Sequence, residues 1–492
     1  MTAPLRAVVV ALCCLFGAGA CARGNEPQLA AVLRDRRDRA DVHVAGASHP
    51  TELGRPARRA FAISPPRFVV PSVTRLASGV TVVLAPLHDF PTVSASFVLD
   101  RGRCSGGVAA DLHALALGGD PEDEARTNHR YLYDIAAPLH VAVHADMTVA
   151  HVHALSLLAA PAIRTVGPFF LRPRPSKTDL EGARKWSERI SSVESTRFEG
   201  RPFRVGARIL FGETGYGTSF GAPTTVELAQ TSDADVAAYR EAALSPEHTT
   251  VIVVGDFEPH AILRTLADAT ANGDRSKGWR PPTCIGDAHA GPLPTEVVVV
   301  DQPGARQARI SVLARGVHAG HPDAAALDVL AASMGRALTS RLSLEIREKA
   351  GWSYGIDMSA HALRHAGLVS VSGDVEHSRA TEALTAILRE LARVGSEPPR
   401  DDELARAKER AAAVPTTHAQ IAAQLAHASG VGQGFDYPEK MHRAIMTVTS
   451  DDVARVAATY LTRDKLVLVV EGDATTLVPR LEAAQFETKI GR

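Results

Sequence analysis

The stretch TSDADVAAYREAALSPEHTTVIVVGD, residues Thr231 to Asp256, recurs in altered form as TSDDVARVAATYLTRDKLVLVVEGD, residues Thr449 to Asp473. Each copy predicts a helix with a Ser or Thr N-cap and acidic residues in its first turn, followed by a short turn and an apolar strand that ends in Gly-Asp. The copies lie about 218 residues apart, which is the length of a domain and far exceeds the period of a solenoid repeat. The chain is therefore predicted to contain an internal duplication.

The beginnings of the two halves also correspond. GVTVVLAP (Gly79 to Pro86) precedes a strand that ends at Gly102, and EVVVVDQPG (Glu296 to Gly304) precedes a strand that ends at Gly316. Interleaved strands and helices indicate an α+β fold of two homologous lobes, each a mixed β-sheet with helices packed on one face, which together form a clamshell. The predicted organisation is a signal peptide (1–20), a tether or extension (21–65), an N-terminal lobe (66–275), a linker (276–294) and a C-terminal lobe (295–492).

The N-terminus has the features of an export signal. Arg6 precedes the short apolar run Ala7 to Phe16, and the small residues Gly17 to Ala20 stand directly before Cys21. This order resembles the lipid-attachment signal of bacterial lipoproteins, although Ala18 occupies a position that is usually leucine. Lipid attachment at Cys21 and ordinary cleavage therefore remain alternatives, and either one predicts a chain exported to the periplasm.

Composition narrows the class of protein. The 492 residues carry 54 Lys and Arg against 55 Asp and Glu, a net charge of −1 that argues against a nucleic-acid partner. Five cysteines are too few for a disulfide scaffold of this length, and Cys104 and Cys284, which remain in the mature body, are either paired or free. No apolar run reaches the roughly 18 residues that an internal membrane span requires.

The segment SRLSLEIREKAGWSYGI, Ser340 to Ile356, is the one most suggestive of chemistry. It predicts a helix that ends just before Gly351, a residue suited to the left-handed conformation that closes helices, and then a strand. Arg347 lies on the last helical turn and Tyr354 seven residues later, so the turn could aim a guanidinium and a phenol into one cavity to hold a peptide carbonyl. From spacing alone, the alternative is that Arg347 favours the helix dipole and Tyr354 packs in the strand.

This segment closely resembles the C-terminal half of insulinase/pitrilysin-like metallopeptidases. The resemblance extends from about Thr74 to Leu481 and includes the duplicated halves, LFGETGYG (Leu210 to Gly217) and QPGARQARI (Gln302 to Ile310). It implies that the two halves enclose a peptide substrate. It also implies that Arg347 and Tyr354 bind the substrate backbone and the tetrahedral intermediate.

The zinc motif of that family is altered in this chain. The family carries an inverted H-x-x-E-H on the first helix of its N-terminal half, with two imidazoles one turn apart and a glutamate as general base. Here Ala110 and Ala114 replace the two histidines, and His113, expected to face solvent or a cavity, replaces the glutamate. The carboxylates that could lie near the family's later glutamate ligand are Glu188 and Glu194. Because alanine has no donor atom, we expect no zinc in this chain and a zinc ion in a partner subunit.

Two other histidine sets are candidate metal sites. His361 and His365 have helical spacing, but they lie where a strand-turn-strand is expected, so their side chains should not converge. The second set is His140, His144, His151 and His153. If this stretch is a hairpin that pairs 140 with 153 around Ala145-Asp146, the four imidazoles share one face of the sheet, and a polar lining of the clamshell and a metal site are the alternatives. Gly335 is expected to mark a helix end and not a phosphate loop.

Three functions are compatible with these features. The first is a subunit of a heteromeric zinc-dependent endopeptidase, in which this chain supplies Arg347 and Tyr354 and a related H-x-x-E-H subunit supplies the zinc; the resemblance implies such a heterodimer and a peptide substrate. The second is a catalytically inactive interaction protein of the same fold. The third, a self-sufficient zinc peptidase, requires a different histidine set such as the hairpin.

Overall fold

The computed structural model describes residues 68–118, 127–171, 175–194, 200–221, 223–243, 245–271, 284 and 293–491. The segment Pro66–Arg492 forms one compact unit. The predicted signal peptide (1–20), the tether (21–65), Cys21 and most of the linker (276–294) lie outside the described residues. Among the helices that are described, none combines the length and apolarity needed to cross a membrane.

The N-terminal lobe is built on a six-stranded mixed sheet. Its strands are β1 (Ser72–Arg75), β2 (Thr81–Pro86), β3 (Thr92–Leu99), β4 (Leu139–Val143), β5 (Thr148–Leu155) and β6 (Thr249–Gly255). Their order across the sheet is β1-β2-β6-β3-β5-β4. Strands β2 and β6 are parallel, and the other neighbouring pairs are antiparallel.

The C-terminal lobe repeats this sheet. Its strands are β7 (Val297–Asp301), β8 (Gln307–Gly316), β9 (Ser353–Ala362), β10 (Gly367–Glu376), β11 (Val467–Gly472) and β12 (Thr488–Gly491), in the order β12-β7-β11-β8-β10-β9. From β7 to β9, this order and its parallel and antiparallel pairings match those from β2 to β4. The outermost strands differ, since β1 is antiparallel to β2 whereas β12 is parallel to β7. The predicted duplication and fold class are confirmed.

The helices follow the same repeat. The described helices of the N-terminal lobe are α1 (Arg103–Gly118), α2 (Thr127–Asp134), α3 (Ala159–Leu171), α4 (Lys177–Glu194), α5 (Arg201–Phe211), α6 (Thr225–Gln230), α7 (Asp233–Ala243) and α8 (Pro259–Thr270). Those of the C-terminal lobe are α9 (Ala324–Met334), α10 (Ala380–Ser396), α11 (Asp401–Ala411), α12 (His418–Gly430), α13 (Tyr437–Thr447), α14 (Ser450–Tyr460) and α15 (Ala474–Ala483). In chain order, α9 to α15 correspond to α1 and α3 to α8.

The predicted N-caps of the repeated stretch are present in both lobes. At α14, the Asp452 N–H donates to the Thr449 hydroxyl at 3.1 Å and the Thr449 N–H donates to the Asp452 carboxylate at 2.9 Å. At α7, Ser232 and Asp235 form the same reciprocal pair at 3.2 and 2.7 Å. This capping box satisfies donors that a helix start would otherwise leave unpaired, so the start of each helix is set locally by its sequence.

Each sheet buries one face beneath helices of its own lobe. Phe97 of β3 lies 6.0 Å, between ring centroids, from Phe170 of α3 within the larger N-terminal core. In the C-terminal lobe, Ile310 of β8 belongs to one buried cluster with residues of α9 and α10, including Leu330 and Leu384. The strands are apolar, and burying their side chains under helices removes that apolar surface from water, which stabilises each lobe.

The opposite face of each sheet is covered by a helix of the other lobe. Helix α12 packs on β3 and β6, and its equivalent α5 packs on β8 and β11. At α5, the Arg315 guanidinium of β8 donates to the Leu210 carbonyl oxygen at 2.7 and 3.1 Å, and Arg201 lies 3.2 Å from the buried carboxylate of Glu471. At α12, the ring of His418 lies 2.9 Å from the Thr92 carbonyl oxygen. The sequence pattern did not predict this exchange, which joins the lobes into one unit.

Candidate functional site

The helix end that carries Arg347 has the predicted form. A π-helical turn, Ser343–Lys349, precedes Gly351, whose φ of +68° lies in the left-handed region. The Gly351 N–H donates to the Arg347 carbonyl oxygen at 3.0 Å, and the Trp352 N–H donates to that of Ile346 at 3.0 Å. A residue with a Cβ is strained at such a φ, so glycine fixes the point where the helix stops and β9 begins.

Arg347 and Tyr354 are both accessible from solvent. The Arg347 side chain is 35% exposed and its Nε lies 3.4 Å from the carboxylate of Glu348. Tyr354, on the edge strand β9, is 90% exposed, the highest exposure among the large hydrophobic and aromatic residues that the structure describes. The alternative that Tyr354 packs in the strand is therefore wrong, because its ring contributes almost nothing to the core.

The pair does not face the cavity between the lobes. That cavity has a volume of about 1410 Å³, and neither Arg347 nor Tyr354 belongs to its described lining. His361, near the other end of β9, does line it. Seven residues of strand at about 3.3 Å each separate Tyr354 from His361 by roughly 23 Å. Tyr354 therefore lies away from this cavity, on the edge strand of the C-terminal sheet.

The positions of the altered zinc motif lie on α1, which is kinked at Gly107. Ala110 and Ala114 are buried, and Ala110 packs with residues of α4 and α7 such as Leu180 and Val236. Neither alanine offers a donor atom, and apolar side chains surround Ala110. The residues present at these positions do not fit a zinc ion.

His113 is buried, which corrects the expectation that it faces solvent or a cavity. It packs edge-on against Tyr239 of α7 with 6.0 Å between ring centroids, because α1 is covered on this side by α7. Neither ring nitrogen has a hydrogen-bond partner among the described residues. Burial, aided by the charge of Arg240, lowers the pKa of His113 to about 3, so the ring is neutral at pH 7.

We expect His113 to make the fold acid-sensitive. Its pKa is about 3 when folded and near 6.5 when unfolded. The contribution of the neutral His113 ring to the free energy of unfolding is therefore complete above pH 6.5. It declines as the pH falls toward 3, by roughly 3 kcal/mol between pH 7 and pH 4. Urea unfolding at the two pH values measures this loss of stability, and His113→Leu should remove the part that His113 causes. The matched substitution at the exposed His260 should not, and an equal loss in both variants would contradict the assignment.

The two carboxylates considered as a later zinc ligand do not complete a site. Glu188 is exposed on α4, and the side chain of Glu194, in the same helix, lies outside the described residues. With Ala110 and Ala114 devoid of donors, Glu188 has no partner set in which it could bind a metal.

The histidine hairpin forms, with a corrected register. Strands β4 and β5 place His140 directly opposite His151, and not opposite His153 as predicted. The reason is the tight turn at Ala145-Asp146, where the His144 N–H donates to the Met147 carbonyl oxygen at 2.7 Å. A shift of two residues leaves the shared face unchanged, because side chains alternate with period two.

The hairpin histidines are held by serines of β3. Nδ1 of His151 lies 2.8 Å from the Ser96 hydroxyl, and Nδ1 of His153 lies 2.7 Å from that of Ser94. In the described part of the chain, no three of these histidines bring nitrogen atoms within 4.8 Å of one another. Of the four, only His144 and His151 belong to the described lining of the cavity between the lobes.

The other motif expectations agree with the structure. His361 is the second-to-last residue of β9 and His365 lies in the turn before β10, so the predicted strand-turn-strand is present. Gly335 follows the last residue of α9, and its N–H donates to the Ala331 carbonyl oxygen at 3.0 Å, as expected of a helix end.

The cavity between the lobes collects histidines from separate segments. They are His144, His151, His361, His427 and His442. Burial lowers the pKa of His144 and of His427, and lowers that of His151 to about 4, so these rings are neutral at pH 7. His427 on α12 and His442 on α13 were not singled out from the sequence, since only the packing of distant helices brings them to this cavity.

The tips of the two equivalent hairpins meet beside Tyr216 at a contact here called the interlobe junction, formed by Asp146, Tyr216, Arg364 and His365; Asp146 and Tyr216 are buried in it. The Tyr216 hydroxyl donates to Asp146 Oδ1 at 2.5 Å, and the Arg364 N–H donates to Asp146 Oδ2 at 2.9 Å. The His365 N–H donates to the Tyr216 oxygen at 3.2 Å. Burial and the Asp146 charge raise the pKa of Tyr216, so its phenol stays a donor. The sequence pattern predicts only a turn position for Asp146, although Tyr216 lies in the motif LFGETGYG.

Cys104 and Cys284 form a disulfide, which resolves the alternative that the sequence left open. The bridge joins the start of α1 to the linker and spans 180 residues of sequence. The two sulfurs and the Asp146 carboxylate lie within 4.8 Å of one another. Among the described residues, this is the only such group of three side chains of the types that bind metals. Sulfurs in a disulfide are not thiolates, so this group does not bind metal as a cysteine site does.

Loss of the disulfide is expected to destabilise the chain strongly. A cross-link over a loop this long restricts the unfolded chain, so Cys104→Ser should lower the free energy of unfolding by about 3–5 kcal/mol. Urea unfolding measures this loss, and dithiothreitol should lower the stability of the wild-type chain to that of the variant. A wild-type chain that does not respond to the reductant would show that the bridge is absent in solution.

The chain is similar in sequence to one protein family and in fold to several solved structures. Residues 232–411 match the model of the peptidase M16 inactive domain. A peptidase M16 inactive domain from Pseudomonas fluorescens has a similar structure, with a TM-score of 0.72 and 18% identity over 82% of this chain and 98% of that one. A protease from Helicobacter pylori has a TM-score of 0.70 at 13% identity, over 82% and 100% of the two chains. A chain of complex III2 from Candida albicans has a TM-score of 0.65 at 15% identity, over 85% and 100%. No curated protein matches the sequence.

Proposed function

We propose that this chain contributes to a composite active site. The chain is a relative of the M16, or insulinase/pitrilysin-like, peptidases, as its sequence predicted, and it matches the model of their inactive domain. In this proposal, the chain is the non-zinc subunit of a heteromeric zinc-dependent endopeptidase. It supplies Arg347 and Tyr354, and a related subunit with H-x-x-E-H supplies the zinc.

The observation that carries the proposal is the contrast between the two half-sites. Ala110 and Ala114 are buried and have no donor atoms, whereas Tyr354 is exposed on the edge strand β9 and Arg347 is half-buried in the π-helical turn before it. Side chains that act on a substrate held by another subunit must lie on the outer surface. An Arg/Tyr pair that served only the stability of this fold would gain nothing from a phenol that is 90% exposed.

The chemistry assigned to the pair follows from its donors. The Arg347 guanidinium presents a planar fork of N–H groups that suits a peptide carbonyl. The Tyr354 phenol presents one O–H that can stabilise the oxyanion of a tetrahedral intermediate. A zinc ion bound in the partner would supply the activated water. In this proposal the substrate is a peptide, and the export signal predicted for this chain would direct it to the periplasm.

The second candidate is a structural subunit without catalytic use of the pair. The resemblance of the fold to a chain of complex III2 favours it, since that chain is part of a complex. The exposed phenol of Tyr354 argues against it. A function as a self-sufficient zinc peptidase is less favoured, because the hairpin histidines do not converge in the described structure.

Affinity purification of the tagged chain from its own source tests the proposal. The copurifying proteins, identified by mass spectrometry, are expected to include one related chain with an intact H-x-x-E-H in a one-to-one ratio. Recombinant forms of the two chains should then associate in analytical ultracentrifugation. Recovery only of partners without that motif would favour the structural role.

A further inference from the structure

The exposure of Tyr354 contradicts the alternation of its own strand. Along β9, Met358 and Ile356 are buried in the core. Side chains in a regular strand alternate between faces, so Tyr354 should be the next residue to point into the core. It is instead 90% exposed, while Ser353 is half-buried. Something in the backbone reverses the orientation between Ile356 and Tyr354.

The cause is a β-bulge. Ile356 of β9 is paired with Gly373 of β10, whereas Ser353 is paired with Val375. Two residues of β9, Tyr354 and Gly355, therefore stand opposite the single residue Asp374. Ser353 takes the core-facing place beside Val375, and the extra residue turns the Tyr354 side chain outward.

Ser353 closes this bulge with its side chain. Its hydroxyl lies 2.5 Å from the Asp374 carbonyl oxygen, to which it donates, and it accepts from the Gly355 N–H at 3.0 Å. The hydroxyl thus links both strands and both sides of the bulge. A side chain without a hydroxyl at this position would leave the Gly355 N–H and the Asp374 carbonyl without that partner.

The opposing strand fits the bulge closely. A Cβ added at Gly373 would lie 2.8 Å from the Gly355 carbonyl oxygen and 2.3 Å from Ile356 Cδ1, so only glycine permits this approach. A Cβ added at Gly355 would meet no atom within 4 Å. The Asp374 side chain is fixed by Arg309 of β8, whose Nε and Nη2 donate to its carboxylate at 2.7 and 3.0 Å.

We propose that the Tyr354-Gly355 bulge is the device that presents the Tyr354 phenol, and that Ser353 is a positioning residue which holds the bulge in place. The catalytic use of this device rests on the proposed function. Without the Ser353 hydroxyl, pairing one residue further along β9 becomes competitive, and this register directs Tyr354 toward Val375 and the core.

The conformational part is tested on the isolated chain by ¹⁹F NMR after labelling with 3-fluorotyrosine. The chain has seven tyrosines, and Tyr354→Phe assigns the resonance of interest. In Ser353→Ala, the Tyr354 resonance should shift or broaden while the six others stay in place. Ser353→Thr keeps the hydroxyl and should restore the wild-type spectrum. Gly355→Ala, which meets no neighbour, is the second control and should leave the spectrum unchanged.

The catalytic part is tested in the complex with the H-x-x-E-H subunit. Ser353→Ala should lower kcat roughly tenfold with KM within about twofold, because a misplaced phenol weakens the transition state more than substrate binding. Ser353→Thr should recover most of the rate. An unchanged Tyr354 resonance in Ser353→Ala overturns the inference whatever the activity. If the Tyr354 resonance shifts in Ser353→Ala but Tyr354→Phe leaves the complex fully active, the proposed function is overturned, and with it the catalytic use of the bulge.

Discussion

Replacing Tyr354 by phenylalanine is expected to lower kcat/KM of the two-subunit complex for peptide hydrolysis by roughly 10²–10³-fold. The substitution removes a single O–H that is 90% exposed in the isolated chain, so folding should not suffer. The lost hydrogen bond acts on charge that develops only in the transition state, and the fall should therefore appear in kcat while KM stays near its wild-type value.

A matched control is available within the same chain. Tyr133 on α2 is 76% exposed and lies in the other lobe, so Tyr133→Phe should leave the rate unchanged. Arg347→Lys keeps the charge and loses the planar fork of donors, and should lower the rate by at least tenfold. A complex in which Tyr354→Phe and Tyr133→Phe are equally active would assign no catalytic role to Tyr354.

The second large effect is expected at the interlobe junction. Asp146→Ala removes the acceptor of two donors, the buried Tyr216 phenol and the half-buried backbone N–H of Arg364. Leaving both unsatisfied should lower the free energy of unfolding by about 3–5 kcal/mol, since a buried polar group without a partner keeps its desolvation cost. Urea unfolding followed by circular dichroism measures the loss.

The coupling between the two side chains separates this effect from simple cavity formation. Tyr216→Phe alone should cost about 1–3 kcal/mol, because it removes the donor and keeps the ring. In the double variant, the losses should be clearly less than additive, since each substitution removes the same hydrogen bond. Additive losses would show that Asp146 and Tyr216 stabilise the lobes independently of each other.

The features that could be predicted from the sequence are those set by local chemistry. The repeated stretches, their N-caps and the helix end at Gly351 depend on neighbours within a few residues, and the structure has each of them. The absence of donors at Ala110 and Ala114 is equally readable, because it follows from residue type alone.

The features that could not be predicted depend on segments far apart in the chain. His113 is buried because α7, more than 100 residues later, covers it. The exposure of Tyr354 follows from a register shift against β10, and a regular alternation predicts the opposite. The junction joins Asp146 to Arg364 across 218 residues. No local pattern encodes such pairings, which are fixed when the two sheets pack.

The most direct test of the composite site is the zinc content and peptidase rate of this chain alone, of the H-x-x-E-H subunit alone, and of their mixture. Zinc is measured by inductively coupled plasma mass spectrometry and hydrolysis with an internally quenched peptide. We expect no zinc and no hydrolysis from this chain, and one zinc per pair of subunits with hydrolysis in the mixture. Stoichiometric zinc together with peptide hydrolysis by this chain alone would contradict the account.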